Sequence, residues 1–379
     1  MMEYNQASQF INGLLKLLLA RKGSDLFITA DFPPAIKVDG KTVKVSAEPL
    51  GAAHTVALVR AVMNDRQAAE FERTKECNFA IAPKGIGRFR CNAFVQQGNA
   101  GMVLRTIPQK IPTIDELGLP QILKDIVMTK RGLAVVVGGT GTGKSTTLAA
   151  MVDWRNTNTH GHIISVEDPI EFVHPHKNCI ITQREIGIDT DNWAVALKNT
   201  LRQAPDVIVM GEIRDREAME HAIAFSETGH LCLATLHANN ANQALERIIN
   251  LFPDERRTQA LMDLSMNLRG FISQRLLPRQ NARGRVAAME IMINSPFISD
   301  LIFRGEIGEI KEVMKKSVEL GMQTFDQHLF TLFEDNCITY EDALRNADSA
   351  NDLRLNIKLN SKRASQPDLT RGTEHLQIV

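Results

Sequence analysis

One short segment constrains the fold of this chain more than any other. Residues 138–145 read Gly-Gly-Thr-Gly-Thr-Gly-Lys-Ser, which fits the phosphate-loop pattern G-x-x-x-x-G-K-[ST]. The apolar run Leu133–Val137 before it predicts a buried strand, and the residues from Thr146 onward predict a helix. A glycine-rich turn between a strand and a helix directs backbone N–H groups toward phosphate oxygens. The segment therefore predicts an α/β core that binds a nucleotide.

The loop combines backbone donors with two functional side chains. Lys144 is expected to reach the β and γ phosphates of ATP, and the Ser145 hydroxyl is expected to bind Mg²⁺. A glycine-rich turn could match the pattern by chance, but the strand before it and the helix after it supply the required context. No guanine-reading N-K-x-D segment is evident, so ATP is the predicted nucleotide. The remaining predicted nucleotide-binding residues are Gly138, Gly139, Thr140, Gly141, Thr142, Gly143 and Thr146.

Two acidic segments follow the phosphate loop, each at the end of a predicted strand. They are 163–171, which contains Glu167, Asp168 and Glu171, and 206–212, which ends on Glu212. The carboxyl ends of parallel strands are where open α/β sheets bind ligands. Either segment alone is also typical of a solvated loop or a helix N-cap, but two such ends after a phosphate loop favour carboxylates around the γ-phosphate.

A third segment, 227–237, contains two histidines. Gly229 predicts a helix stop, so that His230 begins the next strand and His237 ends it. A lone histidine is commonly a packed or capping residue, and the catalytic interpretation depends only on placement at a strand edge. Neither histidine has a metal-ligand partner at a usable spacing.

The chain is long enough for two or three domains. Short strands and helical runs predict a small α/β domain first, and Pro108, Pro112 and Pro120 mark a stiff connector. Buried strands alternating with helices then predict a parallel sheet, followed by helices and a polar tail. The predicted boundaries are 1–107 for the N-terminal domain, 108–120 for the linker, 121–290 for the core, 291–360 for the helical region and 361–379 for a disordered tail.

Composition argues against several classes of function. Lys plus Arg and Asp plus Glu both count 44, so no global charge attracts a nucleic acid or an anionic membrane. The five cysteines are scattered singly, which predicts neither a zinc site nor a disulfide framework. The apolar stretch 11–20 contains Lys16 and is too short to span a bilayer. We expect a cytoplasmic protein without membrane insertion.

Taken in order, these segments resemble the secretion-type ATPase superfamily: Walker A at 138–145, an Asp box at 163–171, a Walker B strand with Glu212 and a His box at 227–237. The resemblance implies a RecA-like P-loop ATPase core with an N-terminal PAS-like α/β domain and C-terminal helices. Residues 23–27, Gly-Ser-Asp-Leu-Phe, are similar to the start of that N-terminal domain in the pilus-retraction branch. Assembly-type members carry a cysteine-bound zinc element, and this chain has no such tetrad.

Within the type IV pilus retraction branch, the chain resembles the PilU type more than the PilT type. PilT-type proteins carry Ala-Ile-Arg-Asn-Leu-Ile in their C-terminal helices, where this chain has Phe-Ile-Ser-Asp-Leu-Ile at 297–302. The runs 201–206 and 236–243 and the polar extension past residue 350 are similar to the PilU type. This implies a motor ATPase that assists a PilT-type paralogue in pilus retraction and twitching motility.

The resemblance also implies roles for individual residues and partners. Glu171 would polarise the attacking water, Glu167 and Asp168 would support the site, and Glu212 would hold Mg²⁺ through water. His230 and His237 would sense the γ-phosphate. Arginines of the N-terminal domain would approach a bound nucleotide across a subunit interface, and the matching positions are Arg88, Arg90 and Arg105. The implied partners are five further copies in a homo-hexamer, a PilT-type paralogue and the pilus platform protein of the inner membrane.

Three hypotheses from different classes compete. A ring-forming motor ATPase at the inner-membrane base of the pilus machine is the leading one. A RecA-type nucleic-acid translocase would use the same core, but the zero net charge argues against it. A nucleotide-binding adaptor that depends on an active paralogue is the third, and the presence of Lys144, Glu171 and Glu212 argues against loss of hydrolysis.

Overall fold

The structure is a computed structural model that describes residues 4–108 and 110–363. It divides into two compact units. The first contains the described residues up to Lys110 together with Glu171–Val173 and Gly187–Asp189, and the second contains the rest of the described chain. The tail predicted for 361–379 lies outside the described residues from position 364 onward. No helix of the described chain is both long and apolar enough to cross a bilayer.

The first unit contains a six-stranded antiparallel sheet and three α-helices. The strands are β1 Asp25–Ile28, β2 Ala35–Val38, β3 Lys41–Lys44, β4 Glu76–Ile81, β5 Arg88–Gln96 and β6 Asn99–Ile107, in the order β3-β2-β1-β6-β5-β4. The helices are α1 Tyr4–Ala20, α2 Ala52–Ala61 and α3 Asp65–Thr74. Helices α2 and α3 are separate, because Asn64 forms a capping box with Gln67 and starts α3.

The sheet of the first unit has one buried face and one polar face. Phe89 and Cys91 of β5 and Leu104 of β6 are fully buried and share one core with Leu15 and Leu18 of α1. Because successive side chains of a strand point to opposite faces, the residues between them line the other face. The arginines predicted for the N-terminal domain are on that polar face.

The second unit contains a seven-stranded sheet with helices on both faces. Its strands are β7 Gly132–Val137, β8 Gly161–Glu167, β9 Cys179–Glu185, β10 Val207–Met210, β11 Leu231–Leu236, β12 Leu268–Pro278 and β13 Arg285–Ile293, in the order β13-β12-β7-β11-β10-β8-β9. Its helices are α4 Ile122–Met128, α5 Lys144–Asn158, α6 Trp193–Thr200, α7 Arg216–Glu227, α8 Ala241–Asn250, α9 Asp254–Asn267, α10 Pro296–Arg304, α11 Ile310–Lys316, α12 Phe325–Glu334, α13 Tyr340–Asn346 and α14 Ala350–Asn360.

Strands β12, β7, β11, β10, β8 and β9 are parallel, and only the edge strand β13 is antiparallel to its neighbour. All six residues of β7 are buried, as expected for a strand covered on both faces. Val135 packs in the core with α7, α8 and α9, and Val136 packs in the core with α4 and α5. The carboxyl ends of the parallel strands therefore meet at one edge of the sheet.

The α/β fold class predicted from the sequence is confirmed, with an N-terminal α/β unit, a phosphate-loop core and C-terminal helices. Helices α12, α13 and α14 pack on residues of β12 and β13 in a small separate core, in which Phe325, Leu329 and Phe333 are buried. The expectation that strands stop near residue 291 is slightly wrong, because β13 continues to Ile293. The sequence analysis also missed the antiparallel β12–β13 pair, although Pro278, Asn281 and Gly284 mark the turn between the two strands.

Candidate functional site

The phosphate loop lies between β7 and α5, at the edge where the parallel strands end. Gly141 and Gly143 have left-handed φ angles of 77° and 89°, which side chains with a Cβ rarely adopt. Thr142 closes the turn, because its hydroxyl donates to the carbonyl oxygen of Gly139 at 3.0 Å. Ser145 and Thr146 lie in the first turn of α5. The backbone therefore has the shape of an anion-binding loop that ends on a helix N-terminus.

Lys144 is held directly over this loop. Its ammonium group donates to the carbonyl oxygens of Gly138 at 2.9 Å and Gly139 at 2.8 Å, and the residue is 9% exposed. A lysine at this depth keeps its charge only where oxygen atoms surround it. The contacts therefore keep one positive charge beside the loop, at the position where phosphate oxygens are expected.

The Walker B strand ends in a small charged network. All four residues of β10 are buried, and Glu212 follows them with a partly exposed carboxylate. One of its oxygens accepts from Arg214 Nε at 2.9 Å, and the other lies 3.2 Å from His237 Nε2. Arg214 also lies 3.4 Å from Asp168 at the end of β8. The structure thus brings together Asp168, Glu212 and His237 from the ends of three strands.

Charge and burial determine the protonation of this network. Burial lowers the pKa of His237 below its usual value of 6.5, and the positive charge of Lys144 lowers it further, against the opposing effect of Glu212. The ring is therefore neutral at pH 7. The hydrogen bond to Glu212 raises the pKa of Arg214, which keeps its guanidinium charged. The neutral ring of His237 can consequently share a hydrogen bond with the Glu212 carboxylate, and the ring adds no charge to the site.

Glu167 is the last residue of β8 and is held by two side chains. Its Oε1 atom accepts from the Ser165 hydroxyl at 2.7 Å and from Gln183 Nε2 at 3.1 Å. Gln183 also accepts the backbone N–H of His174 at 2.8 Å. The carboxylate of Glu167 is therefore fixed in place at the same edge of the sheet as the phosphate loop.

His230 lies at the opposite edge of the sheet. Its backbone carbonyl accepts from Gly132 at the beginning of β7, and its Nδ1 atom contacts Thr228 Oγ1 at 3.0 Å. The whole of β11 separates it from His237, which corresponds to about 20 Å at the rise of an extended strand. The structure therefore contradicts the expectation that both histidines reach the γ-phosphate in one chain. Only His237 lies at the phosphate-loop edge.

The predicted arginines share the polar face of the sheet in the first unit. Arg90 of β5 is directly opposite Arg105 of β6, and Arg88 lies two residues before Arg90 on the same face. Arg105 donates to Asp25 at 2.8 Å while its side chain stays 69% exposed. Glu171 also belongs to the first unit. The roles of these four residues in hydrolysis stay predictions.

The sequence analysis missed three polar residues that the structure places in the site. Arg214 and Gln183 hold Glu212 and Glu167, and Gln274 of β12 donates to the carbonyl oxygen of Thr142 within the phosphate loop. Arg214 follows Glu212 by two residues, so its position beyond a Walker B strand was a usable signal. Gln274 is far along the chain from the loop, and no sequence pattern connects the two.

The site is suited to a nucleotide with a bound magnesium ion. A Cβ on Gly138 would approach the backbone oxygen of Gln274 to 2.9 Å, and one on Gly143 would approach the Gln274 amide nitrogen to 2.8 Å, so glycine is needed at both positions. Hydroxyl and carboxylate oxygens are the donors that Mg²⁺ prefers, and Ser145 and Glu212 provide them. The residues present therefore fit both predicted ligands.

Comparison with known proteins gives consistent matches. Residues 4–299 match the family described as "Type II/IV secretion system protein". The chain is 59% identical to "Type IV pilus ATPase PilU" of Pseudomonas aeruginosa, over 92% of this chain and 91% of that protein. It is 41% identical to "Type IV pilus retractation ATPase PilT" of the same organism, over 89% of this chain and 98% of that protein. A solved structure of the pilus retraction motor PilT with bound ADP superposes with a TM-score of 0.85, at 38% identity, over 90% of this chain and 98% of that one.

Proposed function

Because this chain belongs to the Type II/IV secretion system protein family, we propose that it is an ATP-hydrolysing motor that drives or assists the retraction of type IV pili. The resemblance predicted from the four sequence segments is confirmed. The identity of 59% to PilU, against 41% to PilT, also confirms the resemblance to the PilU type. The chain is a P-loop ATPase, and its part in pilus retraction and twitching motility follows from these relatives.

The observation that carries the proposal is the meeting of Lys144, Glu212 and His237 at one sheet edge. Bound ATP supplies the phosphoryl group, and Mg²⁺ neutralises part of its charge. Lys144 binds phosphate oxygens, and Ser145 and Glu212 hold the metal, the latter through water. His237 reports the state of the γ-phosphate to Glu212 through their contact. Arg214 keeps the Glu212 carboxylate oriented.

Hydrolysis also requires groups that position water and stabilise charge in the transition state. We assign the water to Glu171, with Glu167 and Asp168 as supporting carboxylates, as the family resemblance implies. Arg88, Arg90 and Arg105 act across a subunit interface, which is supported by their shared polar sheet face. An arginine supplied by a neighbouring subunit can accelerate phosphoryl transfer by about 10³–10⁵-fold. Such sharing couples the chemistry of each subunit to the position of the next.

A homo-hexameric ring at the cytoplasmic base of the pilus machine fits this sharing of sites. The greater identity to PilU favours a motor that works together with a PilT-type paralogue on the platform protein of the inner membrane. The residues of the linker, 108–120, would absorb rotation between domains when the nucleotide state changes. A second candidate function, a partner-dependent accessory subunit, has the same resemblance in its favour.

Steady-state ATPase activity of the purified protein, measured against its concentration with native mass in parallel, tests the proposal. We expect activity to rise as the ring assembles and to disappear in Glu212→Ala. Assembled rings that hydrolyse no ATP alone, but do so after a PilT-type paralogue is added, would establish the accessory function instead. Rings that stay inactive in both cases would contradict the motor function.

A further inference from the structure

A buried glutamine connects the phosphate loop to the sheet from outside the nucleotide-binding motifs. Gln274 of β12 is 3% exposed. Its Nε2 atom donates to the carbonyl oxygen of Thr142 at 2.8 Å, and its Oε1 atom accepts from the Thr147 hydroxyl at 2.6 Å. The orientation of the amide follows from chemistry, because a carbonyl oxygen only accepts and must therefore face the nitrogen. One side chain thus joins the loop to the first turn of α5.

The loop is shaped to receive this side chain. A Cβ on Gly143 would lie 2.8 Å from Gln274 Nε2, closer than real Cβ contacts allow. Gly143 also has the left-handed φ of 89° that ends the loop and begins α5. The last glycine of the phosphate motif is therefore needed for its backbone conformation and for the close approach of Gln274.

Gln274 is itself held in position. β12 pairs with β7 as far as Ser273 and with β13 along nearly its whole length, where Gln274 is opposite Met289. The neighbouring Ser273 is fully buried and donates to Glu290 at 3.2 Å on the opposite face of the strand. The amide of Gln274 is consequently presented to the loop from a rigid strand.

We propose that Gln274 is a positioning residue that holds the phosphate loop in its nucleotide-binding shape through Thr142 and Thr147. This inference rests on the proposed nucleotide-binding function of the loop. Without the glutamine amide, the Thr142 carbonyl and the Thr147 hydroxyl lose their buried partner. The loop then samples other shapes, and ATP must restore the binding shape at a cost in affinity.

The experiment compares three variants of the full chain by their affinity for ATP with Mg²⁺ and by steady-state kinetics. Gln274→Met removes both hydrogen bonds at similar volume, Thr147→Val removes only the hydroxyl, and Thr147→Ser retains it. We expect about tenfold weaker binding and a similarly raised KM in Gln274→Met, which corresponds to about 1.4 kcal/mol. Thr147→Val should show a smaller effect in the same direction, and Thr147→Ser should match the wild type.

Gln323→Met is the matched control. Gln323 is a partly buried glutamine that donates to the Met289 carbonyl at 3.0 Å, so the same substitution removes an amide hydrogen bond elsewhere in the second unit. It should lower thermal stability without weakening ATP binding. A purely structural role for Gln274 would lower the unfolding temperature of the nucleotide-free protein but leave KM unchanged.

The outcomes separate this inference from the proposed function. Wild-type affinity in both Gln274→Met and Thr147→Val would overturn the positioning role while leaving the function intact. A wild-type protein that binds no ATP would overturn the function. If Gln274→Met does not fold, Thr147→Val decides the question, because valine is close to isosteric with threonine.

Discussion

His237 Nε2 lies 3.2 Å from Glu212 Oε1, and this contact joins the ends of two neighbouring parallel strands. Glu212 follows β10 and His237 follows β11, the strand between β10 and the β7 strand of the phosphate loop. Lys144 is near enough to lower the pKa of His237. The neutral imidazole therefore connects Glu212, the carboxylate predicted to hold Mg²⁺, to the surroundings of the phosphate loop.

Glu212→Gln tests the negative charge of this pair. Glutamine retains an oxygen for Arg214 but removes the charge that would hold hydrated Mg²⁺. Because a group that binds a metal through water typically contributes about 10–100-fold to activity or metal affinity, we expect a loss of that size in kcat. ATP turnover at saturating ATP, with increasing Mg²⁺, measures it. Glu220→Gln is the control, since that carboxylate pairs with surface arginines away from the loop, and an equal loss there would contradict the assignment.

His237→Asn and His230→Asn test the separation of the two histidines. We expect His237→Asn to lower kcat by about 10²-fold, as the loss of one preorganised transition-state contact does. His230→Asn should retain nearly all activity, because its ring contacts Thr228 at the far edge of the sheet. Both are measured by steady-state hydrolysis with native mass recorded. An equal loss of kcat in the two variants would contradict the prediction that His237 acts in the site and His230 does not.

Mixing two inactive variants tests whether the predicted arginines act across a subunit interface. Lys144→Ala removes the charge over the phosphate loop, and Arg90→Ala removes an exposed arginine of the first unit. In mixed rings, about one quarter of head-to-tail interfaces combine an intact loop with an intact arginine. We therefore expect hydrolysis to return on mixing and subunit exchange.

Arg60→Ala, which removes a surface partner of Glu72, is the control for the arginine substitution and should be active alone. Activity that stays absent in every ratio of the Lys144→Ala and Arg90→Ala variants would show that Arg90 does not act across the interface. Full activity of Arg90→Ala by itself would remove Arg90 from the site.

The folded protein should lose stability in acid through His328. The ring of His328 in α12 accepts the backbone N–H of Met289 in β13 at 2.9 Å. Burial lowers the pKa of His328 to about 4 from its usual 6.5, and this effect outweighs the opposing effects of the Met289 backbone and Asp335. Between these two values the unfolded chain binds one more proton, so the free energy of unfolding falls as the pH falls from about 6.5 to about 4. The shift corresponds to about 3 kcal/mol.

His328→Asn retains an acceptor for the Met289 N–H but does not titrate. We expect its free energy of unfolding to change less between pH 7 and pH 4 than that of the wild type, measured by urea denaturation at both values. His160→Asn, at an exposed ring, controls for the substitution. An unchanged pH dependence in His328→Asn would contradict the prediction.

Short segments with strong local patterns were predictable from the sequence. The strand predicted over Leu133–Val137 is β7, which begins one residue earlier at Gly132, because it is a compact apolar run that ends at the glycines of the phosphate loop. The β12–β13 pair was missed although Pro278, Asn281 and Gly284 form a local turn signal between the two strands. His230 was placed in the site by its motif, although strand length puts it at the opposite edge.

The sequence by itself determined the chemistry that this protein performs, because the phosphate loop and the Walker B strand are local patterns whose residues act near their neighbours in the chain. Only the tertiary structure decided which distant side chains share that site. The parallel pairing of β10 with β11 brings His237 beside Glu212, and the placement of β12 next to β7 brings Gln274 to Thr142 across more than a hundred residues of chain. Such contacts follow from sheet topology, which depends on packing of the whole unit and leaves no pattern in adjacent residues.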